Sequence, residues 1–210
     1  KAIEVKQLTK RFGTFTAVDH ISFEVEPGEN IRLTSGQSGA GKTTAMRMLA
    51  PVGPDIGEAR VAGFDVYRES ESIKRNIGYM SQKFSLYGDL KVWENIRLFG
   101  GIYGLSKRQL SQKTDELLDI LGWKGAEYLG RFPALGWKQK LSFSVAIIHD
   151  PKIVFLDGTG GVDPVTRRQF WELIYEAAAR GITIFVTTHY MDEAEYCNRV
   201  SIMVDGRSKR

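Results

Sequence analysis

Hydrophobic residues recur with two different periods along the chain, and these periods predict strands and helices in a defined order. Near the start, apolar and polar residues alternate over two stretches that predict short strands: Ile3 and Val5, then Ile21, Phe23 and Val25. The segment NIRLTS predicts another strand, which runs directly into GQSGAGKTTAMRMLA, a glycine-rich turn that opens a helix. Strand, glycine loop and helix in this order are typical of an α/β unit with a parallel sheet.

The period becomes helical in the middle of the chain, from about residue 84 to about residue 131. LKVWENIRLFGGIYGL predicts one helix and SKRQLSQKTDELLDILGW a second, which opens with Ser106 and Gln109 at capping-box spacing. No strand pattern interrupts them. The sequence therefore predicts a single domain, 1–210, with an α/β core at about 1–83 and 132–210 and a helical subdomain at about 84–131.

The strand pattern returns with KIVFLD and again with ITIFVTTH, and a helix is predicted between them. Asp163 can cap this helix, Pro164 suits its first position, and Gly181 can end it. Its apolar stripe consists of Phe170, Leu173, Ile174, Ala177 and Ala178. Strands that alternate with helices in this way again favour a parallel sheet.

Composition limits the possible functions only loosely. The length of 210 residues, with 42% hydrophobic and 26% charged residues, suits one soluble globular domain. A formal charge of +4 is compatible with anionic ligands and equally with an ordinary solvated surface.

The single Cys197 excludes an intramolecular disulfide. No apolar run is long enough to span a bilayer, and the start, KAIEVKQLTK, has no signal-peptide pattern, so we expect any membrane link to run through a partner. Because the chain opens on Lys1, we expect a domain or a processed form of a longer product.

The strongest chemical signal is the match to G-x-x-x-x-G-K-[ST] at residues 36–43, called the phosphate loop below. Glycines let backbone N–H groups face the phosphates, Lys42 can reach the β- and γ-phosphates, and Thr43 offers a hydroxyl to Mg²⁺. A glycine-rich turn with a chance lysine is the alternative, but the position between a strand and a helix favours nucleotide binding. The predicted nucleotide contacts are Gly36, Gln37, Ser38, Gly39, Ala40, Gly41, Lys42, Thr43 and Thr44.

Asp157 ends the apolar strand KIVFLD and complements this loop. A carboxylate there can hold Mg²⁺ from the side opposite Thr43, as in other phosphate-loop nucleotidases. The alternative is a strand-end aspartate that caps a turn. Together with the loop, Asp157 predicts a magnesium site and MgATP as the ligand.

With these residues identified, the remaining motifs resemble the nucleotide-binding domain of ABC transporters over nearly the whole chain. KRFG is similar to the family's adenine-stacking turn, with Phe12 as the platform; a core phenylalanine is the alternative. IGYMSQKFSLYGDL is similar to the Q-loop and implies that Gln82 lies near Mg²⁺ and the attacking water. GVDP resembles the D-loop, with Asp163 as a dimer contact. IFVTTHYMDEAE resembles the switch strand and implies that His189 contacts the γ-phosphate; a surface or core histidine is the alternative.

The resemblance implies a fold and an assembly. The expected fold is α/β, a P-loop (RecA-like) core with a mainly parallel sheet, an N-terminal antiparallel β region and an inserted α-helical subdomain. Two such domains would sandwich two MgATP, with His189 and Gln82 as catalytic residues and Gly136 of the signature segment acting in trans. The expected partners are a second nucleotide-binding domain and a transmembrane permease, which places the chain at the cytoplasmic face of the membrane; nucleic acid is not expected. GEARVAGFDVYRES and ENIRLFGGIYGL are most similar to bacterial ABC-2-type and multidrug exporter ATPases.

Two departures from the family pattern bear on hydrolysis. LDGTGGVDP stands where the family has LDEPTSGVDP, so Gly158 replaces the glutamate that polarises the attacking water, a loss typically of about 10²- to 10⁴-fold in rate. If that base limits turnover, a glutamate restored at position 158 is expected to raise it. RFPALGWKQKL stands where the family has LSGGQ, with Ala134, Leu135 and Trp137 at altered positions. The two changes fall on different composite sites, which leaves a homodimer, a heterodimer and a tandem protein open.

Three functions are therefore considered. The first is the motor subunit of an exporter that hydrolyses MgATP, which His189 favours. The second is a degenerate ATP-binding module that gates a partner without meaningful turnover, which Gly158 favours. The third, a soluble ABC protein acting on ribosomes or DNA, lacks supporting basic extensions or coiled coils. The predicted helical insertion fits a fourth function, a phosphate-loop kinase, poorly.

Overall fold

The structure is a computed structural model of the 210-residue chain, and it describes residues 1–34, 41–49, 53–81, 86–122, 135–158, 163–188 and 196–209. Within these ranges the chain forms two β-sheets with helices packed between and around them. The expected α/β fold, with a mainly parallel sheet and an antiparallel region at the N-terminus, is confirmed.

The first sheet is antiparallel and has the order β2-β1-β4-β5. Its strands are β1 (Ile3–Phe12), β2 (Phe15–Val25), β4 (Ile56–Val61) and β5 (Phe64–Asp65). β1 and β2 pair around a tight turn, so Phe12 lies directly opposite Phe15 at the tip. Ile3 and Val5 of β1 are buried in alternation, as predicted for a sheet with one buried face, but register shifts further along place Leu8 beside Thr9 and Ala17 beside Val18 as adjacent buried pairs.

The second sheet is mainly parallel and has the order β10-β9-β3-β8-β7-β6. Its strands are β3 (Asn30–Thr34), β6 (Ile77–Met80), β7 (Ile153–Asp157), β8 (Thr183–Thr188), β9 (Arg199–Val204) and β10 (Arg207–Lys209). Every residue of β3, β7 and β8 is buried, which explains the continuous apolar runs in β7 and β8, whereas β3 alternates Ile31 and Leu33 with polar residues. The parallel register aligns the carboxyl ends of β3, β7 and β8, so Asp157 pairs with Thr187 and Thr34 with Thr188.

Six helices complete the described part of the chain. They are α1 (Lys42–Met48), α2 (Ser70–Asn76), α3 (Val92–Ile102), α4 (Lys107–Ile120), α5 (Leu135–Ala146) and α6 (Pro164–Ala179). The predicted capping box at Ser106 and Gln109 is present at the start of α4, and Asp163 caps α6 with Pro164 in its first turn. None of these described helices is long and apolar enough to cross a membrane.

Three apolar clusters hold the layers together. One lies between the two sheets and includes α1, a second joins the parallel sheet to α6, and a third packs α3 and α4 against α5. The second cluster contains the predicted stripe of α6, with Phe170, Ile174 and Ala177 buried and Leu173 and Ala178 packed at its edge. Residues 86–122 contain only helices α3 and α4, and the proposed subdomain boundaries stay a prediction.

The junction between α5 and the parallel sheet is unusually close. A Cβ atom added to Gly78 in β6 would lie 2.0 Å from the carbonyl oxygen of Ala146 at the end of α5. Only a glycine allows these two backbones to approach so closely. The backbone of β6 is thus in direct contact with the end of the helix that begins within the signature segment.

One feature of the sheet was not predicted from hydropathy. Arg32 lies in the middle of β3 and is fully buried, with its Nη2 donating a hydrogen bond to Thr34 Oγ1 at 3.3 Å. Its parallel neighbour Val186 belongs to the cluster that faces α6, so the guanidinium lies on that side of the sheet. Buried arginines are rare unless they are paired, and the alternation of apolar residues gave no signal for this one.

Candidate functional site

Gly41 of the phosphate loop occupies a backbone position that only glycine fits. Gly41 precedes α1 with φ 89° and ψ 3°, in the left-handed region. A Cβ atom there would lie 2.3 Å from the carbonyl oxygen of Ala17 in β2. The close approach of the loop end to β2 thus fixes where α1 starts, with Lys42, Thr43 and Thr44 in its first turn.

Asp157 is the centre of a cluster of hydroxyl groups at the carboxyl end of β7. Its Oδ1 accepts hydrogen bonds from Thr43 Oγ1 and Thr187 Oγ1, both at 2.9 Å. Its Oδ2 accepts one from the Tyr79 hydroxyl at 3.3 Å. The structure therefore brings together Thr43 and Asp157, the two residues that the sequence predicts to share a metal ion, although they are 114 positions apart.

Lys42 lies beside this cluster with only 5% of its surface exposed. Burial lowers the pKa of its ammonium group, and the nearby Asp157 carboxylate opposes that effect. A phosphate placed here would add negative charge and favour the charged lysine further. The environment is therefore suited to a bound anion.

Phe12 is exposed, with 53% of its surface accessible at the end of β1. This excludes a core phenylalanine as the explanation of KRFG. Lys10 Nζ lies 5.8 Å from the centre of the ring, a cation–π distance. Its role as an adenine platform stays a prediction, and the accessible ring face is compatible with it.

Asp163 and Gly136 make contacts within the chain. The Asp163 carboxylate accepts hydrogen bonds from the backbone N–H groups of Val165 at 3.1 Å and Thr166 at 3.0 Å. The Thr166 hydroxyl and these N–H groups hold the pKa of this carboxyl below its usual range. Gly136 is buried in the first turn of α5, where an added Cβ atom would lie 2.1 Å from Thr166 Cγ2. These contacts place the starts of α5 and α6 side by side; the predicted roles across a dimer stay predictions.

Gly158 adopts a backbone conformation that the sequence did not reveal. Its φ is 86°, in the left-handed region, and its N–H donates to the Thr187 carbonyl at 2.9 Å. The β7–β8 ladder therefore extends one residue beyond Asp157. A glutamate at this position would be strained, since left-handed backbone costs about 1–2 kcal/mol for an L-residue with a Cβ atom.

Several predicted site residues lie outside the described residues. They are Gly36, Gln37, Ser38, Gly39, Ala40, Gln82 and His189, together with Ala134 of the altered signature. Of the remaining signature residues, Leu135 begins α5 and Trp137 packs against the third apolar cluster. The roles assigned to all of these residues stay predictions.

Three residues around Asp157 were missed by sequence reasoning. Thr187 could have been found by aligning the ends of the two apolar strands, because parallel neighbours end at the same edge of a sheet. Tyr79 and Arg47 carry no such signal: Arg47 in α1 lies close enough to the Tyr79 hydroxyl in β6 to lower its pKa. Burial raises the pKa of Tyr79, and nearby Asp157 adds to the rise while Arg47 opposes it.

The comparisons with known proteins identify the family. A family model described as "ABC transporter" matches residues 18–159. The chain is 44% identical over 208 residues to the "Probable multidrug ABC transporter ATP-binding protein YbhF" of Escherichia coli (strain K12), covering 98% of this chain and 36% of that protein. It is 36% identical to the "Nod factor export ATP-binding protein I" of Paraburkholderia xenovorans (strain LB400), covering 98% of this chain and 69% of that protein. The chain thus spans about a third of the first relative and about two thirds of the second.

Solved structures similar to this chain belong to the same kind of protein as these relatives. The ATP-binding subunit of an ABC transporter superposes with a TM-score of 0.85 at 27% identity, covering all of this chain and 89% of the other. A dimeric ATP-binding cassette bound to ADP and phosphate superposes with a TM-score of 0.83 at 21% identity, covering 99% of this chain and 97% of the other, a likeness of fold alone. The chain therefore belongs to the ABC transporter family, of which it is an ATP-binding domain.

Proposed function

We propose that this domain binds MgATP between the phosphate loop and Asp157 and couples ATP binding and hydrolysis to export through a membrane permease. The observation that carries the proposal is the 2.9 Å hydrogen bond from Thr43 Oγ1 to Asp157 Oδ1. It joins the end of the loop motif to the strand-end carboxylate, so both halves of a nucleotide and metal site meet at one point. The buried Lys42 beside them supplies the positive charge that phosphates need.

The donor set around Asp157 fits magnesium. Thr43 and Asp157 would hold the ion, and both present oxygen atoms, the ligands that Mg²⁺ prefers. When bound, Mg²⁺ neutralises charge on the β- and γ-phosphates. Thr187 and Tyr79 keep the Asp157 carboxylate oriented while Thr43 is free to exchange its hydrogen bond for a metal contact. Gln82 and His189 would complete the site as the catalytic residues.

The relatives' names support the proposed partners. Several are ATP-binding proteins of multidrug or Nod factor export, which favours an exporter with a transmembrane permease and a position at the cytoplasmic face of the membrane. A second nucleotide-binding domain is the other proposed partner, with Asp163 and Gly136 near the shared site. Since YbhF is almost three times as long as the match, that second domain can lie in the same polypeptide or in another copy.

A specific observation favours a second candidate, an ATP-gated module with little turnover of its own. Gly158 occupies the position of the family's glutamate, and its left-handed backbone differs from what a glutamate would adopt at low cost. No carboxylate is therefore supplied at this position to polarise the attacking water. Binding and closure would remain, because Lys42, Thr43 and Asp157 are all in place.

Steady-state phosphate release at saturating MgATP distinguishes the two candidates. We expect turnover well below about one per second, the lower end of the ordinary enzyme range, because position 158 lacks a general base. Binding of ATP should be demonstrated in the same preparation by equilibrium titration. Slow release clearly above buffer supports the proposed motor, and release indistinguishable from buffer with ATP bound would contradict hydrolysis and favour the ATP-gated module. Release at one per second or faster would show that another group replaces the glutamate.

Restoring the acid should not restore turnover. We expect Gly158→Glu to leave phosphate release within about a factor of ten of the parent, below the typical effect of a working general base. The reason is the φ of 86°, which either strains the new residue or forces its carboxylate away from the site. Gly158→Ala is the matched control, since it carries the same backbone strain without a carboxylate. A gain of a hundredfold in the glutamate variant alone would contradict this expectation.

A further inference from the structure

Asp157 is held by three hydroxyl groups from three different elements. Thr43 comes from α1, Thr187 from β8 and Tyr79 from β6, and the two threonines share Oδ1 while Tyr79 alone contacts Oδ2 among the described residues. A carboxylate with only one oxygen restrained can rotate about its Cβ–Cγ bond. The Tyr79 contact is therefore the one that fixes the plane of the Asp157 carboxylate.

Arg47 in α1 lies beside the Tyr79 hydroxyl and opposes the rise in the pKa of Tyr79 that burial causes. A guanidinium carries donors and no acceptor, so its proximity favours a hydroxyl whose lone pairs face Arg47 and whose single proton is left to donate to Asp157 Oδ2. The observed hydrogen bond from Tyr79 in β6 to Asp157 in β7 is therefore supported by a positive charge from α1.

We propose that Tyr79, oriented by Arg47, is a positioning residue that holds the Asp157 carboxylate for its metal ion. The inference rests on the proposed function, since it assumes that Asp157 binds Mg²⁺ together with Thr43. The half-buried Tyr79 ring also packs at the edge of the apolar cluster between the sheets. Phenylalanine preserves that packing, so substitution of the hydroxyl separates positioning from folding.

The test compares nucleotide affinity with and without the metal. The dissociation constant of a fluorescent ATP analogue is measured for the 210-residue chain in saturating Mg²⁺ and again in EDTA, and the ratio of the two constants is the magnesium gain. For Tyr79→Phe we expect the gain to fall about two- to tenfold, the range set by one hydrogen bond, while the affinity in EDTA stays unchanged. Arg47→Gln should lower the gain by a smaller factor, because the hydroxyl remains but loses its orientation.

Tyr67→Phe is the matched control. It removes a hydroxyl that donates to the Gly57 carbonyl at 2.9 Å, away from Asp157, and should leave the gain unchanged. If Tyr79→Phe fails to fold, the magnesium gain of Arg47→Gln becomes the test. Arg47 is exposed, so its substitution is expected to leave folding intact. A gain unchanged in both variants, or an equal loss of affinity in Mg²⁺ and EDTA, would overturn the positioning role alone. Absence of any gain in the unaltered chain would overturn the metal role of Asp157 and this inference with it.

Discussion

Lys42→Ala is expected to weaken MgATP binding by about 10²- to 10⁴-fold, because a lysine that contacts two phosphates loses two charged hydrogen bonds of about 1.5–3 kcal/mol each. The side chain is 5% exposed and its pKa is lowered by burial, so the charge is held there at a cost in the absence of ligand. That cost is what a bound phosphate would offset. The measurement is an equilibrium titration with a fluorescent ATP analogue at saturating Mg²⁺.

The stability of the ligand-free variant separates a binding defect from a folding defect. Removing a buried ammonium relieves its desolvation, so thermal unfolding of Lys42→Ala without nucleotide should occur at the same temperature as the parent or higher. Lys74→Ala is the control: Lys74 is exposed and pairs with Glu71 on α2, and its loss should leave affinity unchanged. Unchanged affinity in Lys42→Ala would contradict the nucleotide assignment.

Phe170→Ala is expected to lower the free energy of unfolding by about 3–5 kcal/mol, the usual cost of emptying a buried phenylalanine site. Phe170 is fully buried on α6 and meets the ring of Phe143 on α5 edge to face, with ring centres 5.6 Å apart. Its loss therefore removes contacts to α5 as well as to the sheet. Urea denaturation followed by tryptophan fluorescence gives the free energy.

Val165→Ala is the control on the same helix. Val165 is 66% exposed in the first turn of α6, so its truncation should change the free energy of unfolding by less than about 0.5 kcal/mol. Equal effects of the two substitutions would show that α6 does not contribute its predicted face to the core. Such a result would also contradict the burial of Ile174 and Ala177 in the same cluster.

The fold was predictable where one local signal was sufficient. The caps of α4 and α6 follow from residues within four positions of each other, and the runs IVFLD and TIFVTT are buried strands because both faces of the parallel sheet are covered. The two halves of the proposed metal site were also predictable, since Thr43 belongs to a motif and Asp157 ends a strand.

What could not be predicted depends on contacts between distant segments. Arg47, Tyr79 and Asp157 lie on three elements, and no period or spacing in the sequence joins them. The burial of Arg32 depends on what covers β3, and its hydrogen bond to Thr34, two residues along the same strand, gives no sign of that cover. The left-handed backbone at Gly158 accompanies its hydrogen bond to β8 and cannot be seen in the sequence. From the sequence LDG alone, Gly158 looks like a simple replacement of a glutamate.

The contact between Gly78 and Ala146 bears on how the helices of this domain can move against its sheet. Two backbones that meet without a side chain between them cannot be pressed closer, since an atom at the Cβ position would already overlap the carbonyl oxygen. Any residue larger than glycine at position 78 would therefore force α5 away from β6. Tyr79, whose hydroxyl donates to Asp157, directly follows this glycine, so the close approach also fixes the strand position from which Tyr79 reaches Asp157.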